Sequence, residues 1–132
     1  MRKGIIITVA LGFITLGGCD SQSRSQIRKF KQIAEKTNQS CPTRMNETIT
    51  LDSTRYDEQT NTVSYFYNVT GELDSPTYMN THYATFKQAL QEAVDNSVDM
   101  EAYRKFGTTI NYIYFSESSK KKLAEFSFNS PK

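Results

Sequence analysis

The chain has 132 residues, with 16 Lys and Arg against 14 Asp and Glu, one His and two Cys. That length bounds one domain with a modest core. The near balance of charge gives no electrostatic case for a nucleic-acid partner.

The first eighteen residues read as an export signal. Met1-Arg2-Lys3 is basic, the run from Gly4 carries no charge, and Leu16-Gly17-Gly18-Cys19 closes it before the chain turns polar at Asp20. A basic start, an apolar stretch and small residues at the cleavage point define a secretory signal. The uncharged run is shorter than the roughly 20 residues needed to span a bilayer. A cysteine at the cleavage point marks the bacterial lipoprotein version, with Cys19 carrying diacylglycerol as a thioether. Each buried methylene adds about 0.8 kcal/mol, so two or three acyl chains anchor stably where one does not. Asp20 resembles the signal that retains many Gram-negative lipoproteins at the inner membrane. The expected location is therefore a bacterial cell membrane, lipid-anchored and periplasm-facing. Removing Arg2 and Lys3 leaves the mature chain formally neutral, so the pI near 8.5 partly reflects the signal.

Residues 19–25 are small and polar and read as a lipidated tether. A single domain follows over 26–132, opening with a basic amphipathic helix over 26–39. Ile27, Phe30, Ile33 and Ala34 recur at helical spacing. Arg24, Arg28, Lys29, Lys31 and Lys36 populate the other side. Two readings of that helix stay open: its polar side is merely solvated, or it lies on anionic head groups. Cys41-Pro42 ends it, because the residue before proline disfavours helix. If lipid occupies Cys19, Cys41 is the remaining thiol. It reads first as a small buried hydrophobe, then as half of an intermolecular disulfide, and last as a reactive thiol, since no His, Lys or Arg motif adjoins it.

Four strand signals follow. Thr48–Asp57 and Thr62–Thr70 flank the polar turn Glu58–Asn61, and Thr108–Ser116 and Leu123–Asn129 flank a Ser/Lys-rich turn. Both pairs read as antiparallel hairpins. Between them, Gly71–Pro76 reads as loop, Thr81–Asn96 as a helix with Met79, Tyr83, Phe86, Leu90, Ala93 and Val94 in its apolar stripe, and Asp99–Lys105 as a short helix. Asp99 is the expected N-cap, and Gly107 the left-handed C-cap. The order α-ββ-α-ββ implies an α+β fold: a small antiparallel sheet with helices packed on one face and the other face partly wet.

Catalytic signals are sparse. His82 is the one histidine; it has no second His or CxxC pair to build a metal site, and it reads as a surface or capping residue. No G-x-S-x-G, P-loop or G-x-G-x-x-G is present. No cofactor or metal is expected, and a hydrolase built on His82 is the weakest function considered. Lys120-Lys121-Lys122 reads as a solvated turn. Eight Tyr and eight Phe are the other notable feature. Tyr65, Tyr67, Tyr112 and Tyr114 fall on alternate strand positions and are the candidate binding surface, since Tyr is favoured in interfaces. The competing reading is that they simply form cross-strand pairs.

Cys41-Pro42-x-x-Met45-Asn46, Thr50-Leu51-Asp52-Ser53, Asn61 to Tyr67 (Asn-Thr-Val-Ser-Tyr-Phe-Tyr) and Tyr103 to Tyr114 (Tyr-Arg-Lys-Phe-Gly-Thr-Thr-Ile-Asn-Tyr-Ile-Tyr) resemble a group of small, functionally uncharacterised bacterial exported proteins and lipoproteins. The resemblance implies an exported α+β domain and carries over no catalytic residue. The expected function is a non-catalytic binding or interaction module of the cell envelope with an envelope protein as partner. A small-ligand binder with a pocket between helix and sheet is the alternative.

Overall fold

A computed structural model describes residues 23–129. The signal region, Cys19 and Asp20 lie outside the described residues. The chain divides into a unit ending at Ile33 and a unit from Ala34 to Lys132. Among the described residues, no helix is long and apolar enough to cross a membrane.

Helix α1 covers residues 23–39. It is already helical at Ser23, so residues 23–25 belong to it and not to the tether. Phe30 and Ala34 are buried, and Gln26, Ile27 and Thr37 are half-buried. Ile33 departs from the expected stripe and is 42% exposed. At 100° per residue it lies about 60° from Phe30 and about 100° from Ala34, at the edge of the buried arc.

Five strands form one sheet in the order β1-β2-β3-β4-β5: β1 Thr43–Arg44, β2 Ile49–Asp57, β3 Thr62–Val69, β4 Thr109–Ser116 and β5 Lys122–Asn129. β2/β3 and β4/β5 are the expected antiparallel hairpins. The central pair corrects the all-antiparallel expectation, because β3 and β4 run parallel, with Tyr65 opposite Tyr112 and Tyr67 opposite Tyr114. The reason is the connection. Residues 70–108 are long enough to carry the chain back to the starting edge through helices, as a parallel pairing requires.

Asn61 fixes where the two central strands begin. It sits at φ 50°, a conformation Asn tolerates. Its side chain accepts from the Tyr56 hydroxyl at 2.7 Å and the Thr108 hydroxyl at 2.9 Å, and donates to the Phe106 carbonyl at 3.3 Å. Its carbonyl accepts from Thr109 N–H. Gly107, at φ 71°, makes the left-handed step after the last helix that its place in the sequence predicts.

The two faces of the sheet differ in chemistry. Ile49, Leu51, Thr54 and Tyr56 align with Val69, Tyr67, Tyr65 and Val63, then with β4 positions 116 to 110 and with Ala124, Phe126 and Phe128. Most of these are buried. The opposite face carries Ser53, Arg55, Ser64, Phe66, Asn68, Asn111, Ile113, Phe115 and Ser127. A register shift between Leu51 and Ser53 matters here. Strict alternation from Ile49 would turn Arg55 inward; the extra residue at the bulge turns Thr54 and Tyr56 inward instead.

The crossover holds three short helices, α2 Pro76–Thr81, α3 Tyr83–Asn96 and α4 Glu101–Lys105, with 3₁₀ turns at Gly71–Leu73 and Val98–Met100. Ser75 caps α2 by accepting from Tyr78 N–H, and Pro76 takes the first helical position where its missing N–H costs nothing. The helix expected over Thr81–Asn96 is α3, and the sequence reading missed α2, which precedes it and meets it at His82. Asp99 is not the cap of the next turn: Ser97 is, accepting from Asp99 N–H. The Arg104 guanidinium closes the far end of α3, donating to Val94 O at 2.6 Å and Ser97 O at 2.9 Å.

Candidate binding cleft

The crossover helices lie on the apolar face of the sheet. Tyr83 stacks on Phe126 with ring centroids 4.5 Å apart, and its hydroxyl donates to Glu125 O. Met79 and Val94 are buried. Between these fixed points the packing is incomplete. A cleft of about 110 Å³ opens between Ile49 and Tyr114 of the sheet, Leu73 of the first 3₁₀ turn, and Met79, Phe86, Ala89 and Leu90 of α2 and α3. Its lining is almost wholly apolar. Phe86 and Leu90 are half-exposed and Ala89 is exposed, so the cleft is open to solvent. Such a lining can bury an apolar group, and the Tyr114 phenol is the one polar side-chain group among its lining residues.

The four tyrosines that the sequence marked as a binding surface share this face, beneath the helices. Tyr65 stacks with Tyr112 at 5.3 Å and Tyr67 with Tyr114 at 5.0 Å, and Tyr67 meets Tyr112 on the diagonal at 6.3 Å. Phe126 and Phe128 meet Tyr114 and Tyr112 edge-on. The result is one continuous aromatic row, of which Tyr114 reaches the cleft and Tyr112 is buried. Burial pushes the hydroxyls of Tyr112 and Tyr114 up to about 12, and those of Tyr65 and Tyr67 higher still. Desolvation disfavours each phenolate, and the Tyr65–Tyr103 hydrogen bond holds the Tyr65 proton further.

The remaining marked residues lie elsewhere. His82 joins α2 to α3 and contacts the rings of Tyr78 at 4.2 Å and Phe86 at 6.3 Å. Cys41 is half-buried. Lys120 and Lys122 pair with Glu117 and Glu125 at the surface. Among the described residues, no three His, Cys, Asp or Glu side chains come together as a metal site. The sequence pattern puts Met79, Phe86 and Leu90 in a core stripe and Leu73 in a loop. The missing signal was geometric, since a stripe shows only that residues prefer burial, not that the sheet beneath is wide enough to cover them.

The fold is an α+β domain in which a helical crossover is laid on one face of a five-stranded sheet. The chain belongs to the family described as Domain of unknown function (DUF8479), which matches residues 24–124. No curated protein matches it. Two solved structures share the fold. One is a Pseudomonas aeruginosa protein (PA3611) provisionally described as secreted, 13% identical, with a TM-score of 0.70 over 82% of this chain and 92% of the other. The second is the pilotin of the Vibrio vulnificus type 2 secretion system, EpsS, 8% identical, with a TM-score of 0.58 over 86% and 99%.

Proposed function

We propose that this chain is a non-catalytic binding module of the bacterial cell envelope, held to a membrane through Cys19 and facing the periplasm, and that its cleft receives an apolar side chain of an envelope protein. The observation that carries this reading is the open apolar gap lined by Leu73, Met79, Phe86, Ala89, Leu90, Ile49 and Tyr114. The lipobox ahead of the domain supports the location. So does the shared fold with a protein named as the pilotin of a secretion system.

Size favours a protein side chain over a free metabolite. Pockets for drug-sized ligands run to roughly 300–1,000 Å³, and this cleft is smaller. Burying one Leu- or Phe-sized group contributes about 1.5–3 kcal/mol, which is weak for partners free in solution. Confinement of both partners to one membrane raises their effective concentration and offsets that weakness. The anchor and the cleft therefore support each other.

Two experiments test the reading. Labelled palmitate should appear on the protein and vanish in Cys19→Ala; label that survives the substitution contradicts the anchor. Ala89→Glu places a charge at the exposed lip of the cleft. It should leave folding unchanged within about 0.5 kcal/mol and abolish co-purification of the partner from cross-linked membranes.

A further inference from the structure

The exposed side of α1 is basic. Arg24, Arg28 and Lys29 are all exposed, and no acidic residue occurs between Ser23 and Ile33. In a helix, side chains four apart lie one above the other. Arg24, Arg28 and Gln32 therefore make one row, and Ser25, Lys29 and Ile33 the row beside it. Ile33, at 42% exposure, adds an apolar side chain at the margin of this surface. A helix that buries one side and offers concentrated positive charge on the other has the pattern of a membrane-surface element.

Position in the chain names the surface. Five residue steps separate Cys19 from Arg24, which is at most roughly 17 Å of fully extended chain. An acylated Cys19 sits at the head groups, so these cations cannot travel far from the lipid phosphates. We infer that this face of α1 lies against the anionic head groups of the membrane that holds the protein, with Arg24, Arg28 and Lys29 as the contacting cations. The inference rests on the lipid anchor proposed above. Its consequence is a second hold on the bilayer: the lipid anchors the chain terminus, and the cations keep this stretch of α1 at the head groups.

The test uses the full chain purified from membranes and reconstituted into vesicles, with an environment-sensitive fluorescent residue in place of Gln32 and brominated lipids as quenchers. In phosphatidylglycerol-containing vesicles the probe should be quenched; in pure phosphatidylcholine it should not. The equilibrium for this contact should weaken by about fivefold for each cation removed, so Arg24→Gln, Arg28→Gln and Lys29→Gln together should abolish the quenching. High salt, which shortens the Debye length to about 3 Å at 1 M, should do the same, and Arg24→Lys with Arg28→Lys should retain it. Quenching that is absent, or equal in the two lipids, overturns the inference. Palmitate labelling on the same sample separates the two readings. A labelled protein without quenching loses the surface contact and keeps the anchor. An unlabelled protein that is still quenched on anionic vesicles loses the anchor and keeps the contact, and failure of both readouts overturns both.

Discussion

The side chain of Asn38 stands in for a neighbouring strand at Thr54. Its carboxamide oxygen accepts from Thr54 N–H at 2.8 Å and its amide nitrogen donates to Thr54 O at 2.9 Å. β1 pairs with β2 only through Thr43–Leu51 and Arg44–Thr50. Beyond the bulge, the outer edge of β2 would otherwise present an unpaired donor and acceptor. Unpaired edges invite pairing with other chains, and Asn38 closes this one with a single residue. Asn38→Ala removes both hydrogen bonds and leaves two part-buried backbone groups unsatisfied, so it should lower stability by roughly 2 kcal/mol. Urea unfolding measures the loss, and hydrogen exchange at the Thr54 amide should accelerate with it. Asn38→Asp keeps the acceptor but sets a carboxylate against a carbonyl, and should recover little.

The tyrosine row makes the protein sensitive to alkali. Tyr65, Tyr67, Tyr112 and Tyr114 are raised above the ordinary value near 10, two of them to about 12. In the unfolded chain they ionise near pH 10. A raised native value means that the native state holds more protons between these limits, so stability is full below pH 10 and is lost as pH rises through 12. Absorbance at 295 nm should show these phenols ionising together with unfolding, not ahead of it. Early ionisation of all four in the folded protein would show that the row is wet.

Arg104 ties α4 back onto α3. Its guanidinium bonds Val94 O, one of the last carbonyls of α3 that the helix end leaves without an intrahelical donor, and Ser97 O, which also accepts from Met100 N–H. Arg104→Ala should cost about 1.5–3 kcal/mol, the range for hydrogen bonds to a charged group. Arg104→Lys should restore only part of it, because an ammonium lacks the planar fork. Chemical denaturation of the two variants checks the order.

Much of this was legible in the residues themselves. The second strand of each hairpin alternates plainly, and Leu123 to Asn129 reads in and out nearly as it is buried. The register of the whole sheet was not legible. That β3 and β4 are parallel depends on the length of the crossover, and the inward turn of Tyr56 depends on one extra residue between Leu51 and Ser53, which leaves no mark in composition. The tyrosines show the same limit. Alternation placed Tyr65, Tyr67, Tyr112 and Tyr114 on a common face correctly, but could not say that the crossover helices lie on that face too. The cleft is a misfit between a helical stripe and a sheet, so it exists only in the assembled fold.

The central claim is that the cleft is where a partner binds, and photo-cross-linking in cells tests it most directly. A photoreactive residue at Ala89, at the mouth of the cleft, should give one discrete adduct with an envelope protein. The same residue at Ser127, exposed on the opposite face of the sheet, should give none. Replacing Leu90 at the cleft wall with Asp should remove the Ala89 adduct. An adduct of equal strength from Ser127, or none from Ala89 in a protein shown to be acylated and folded, would contradict the account.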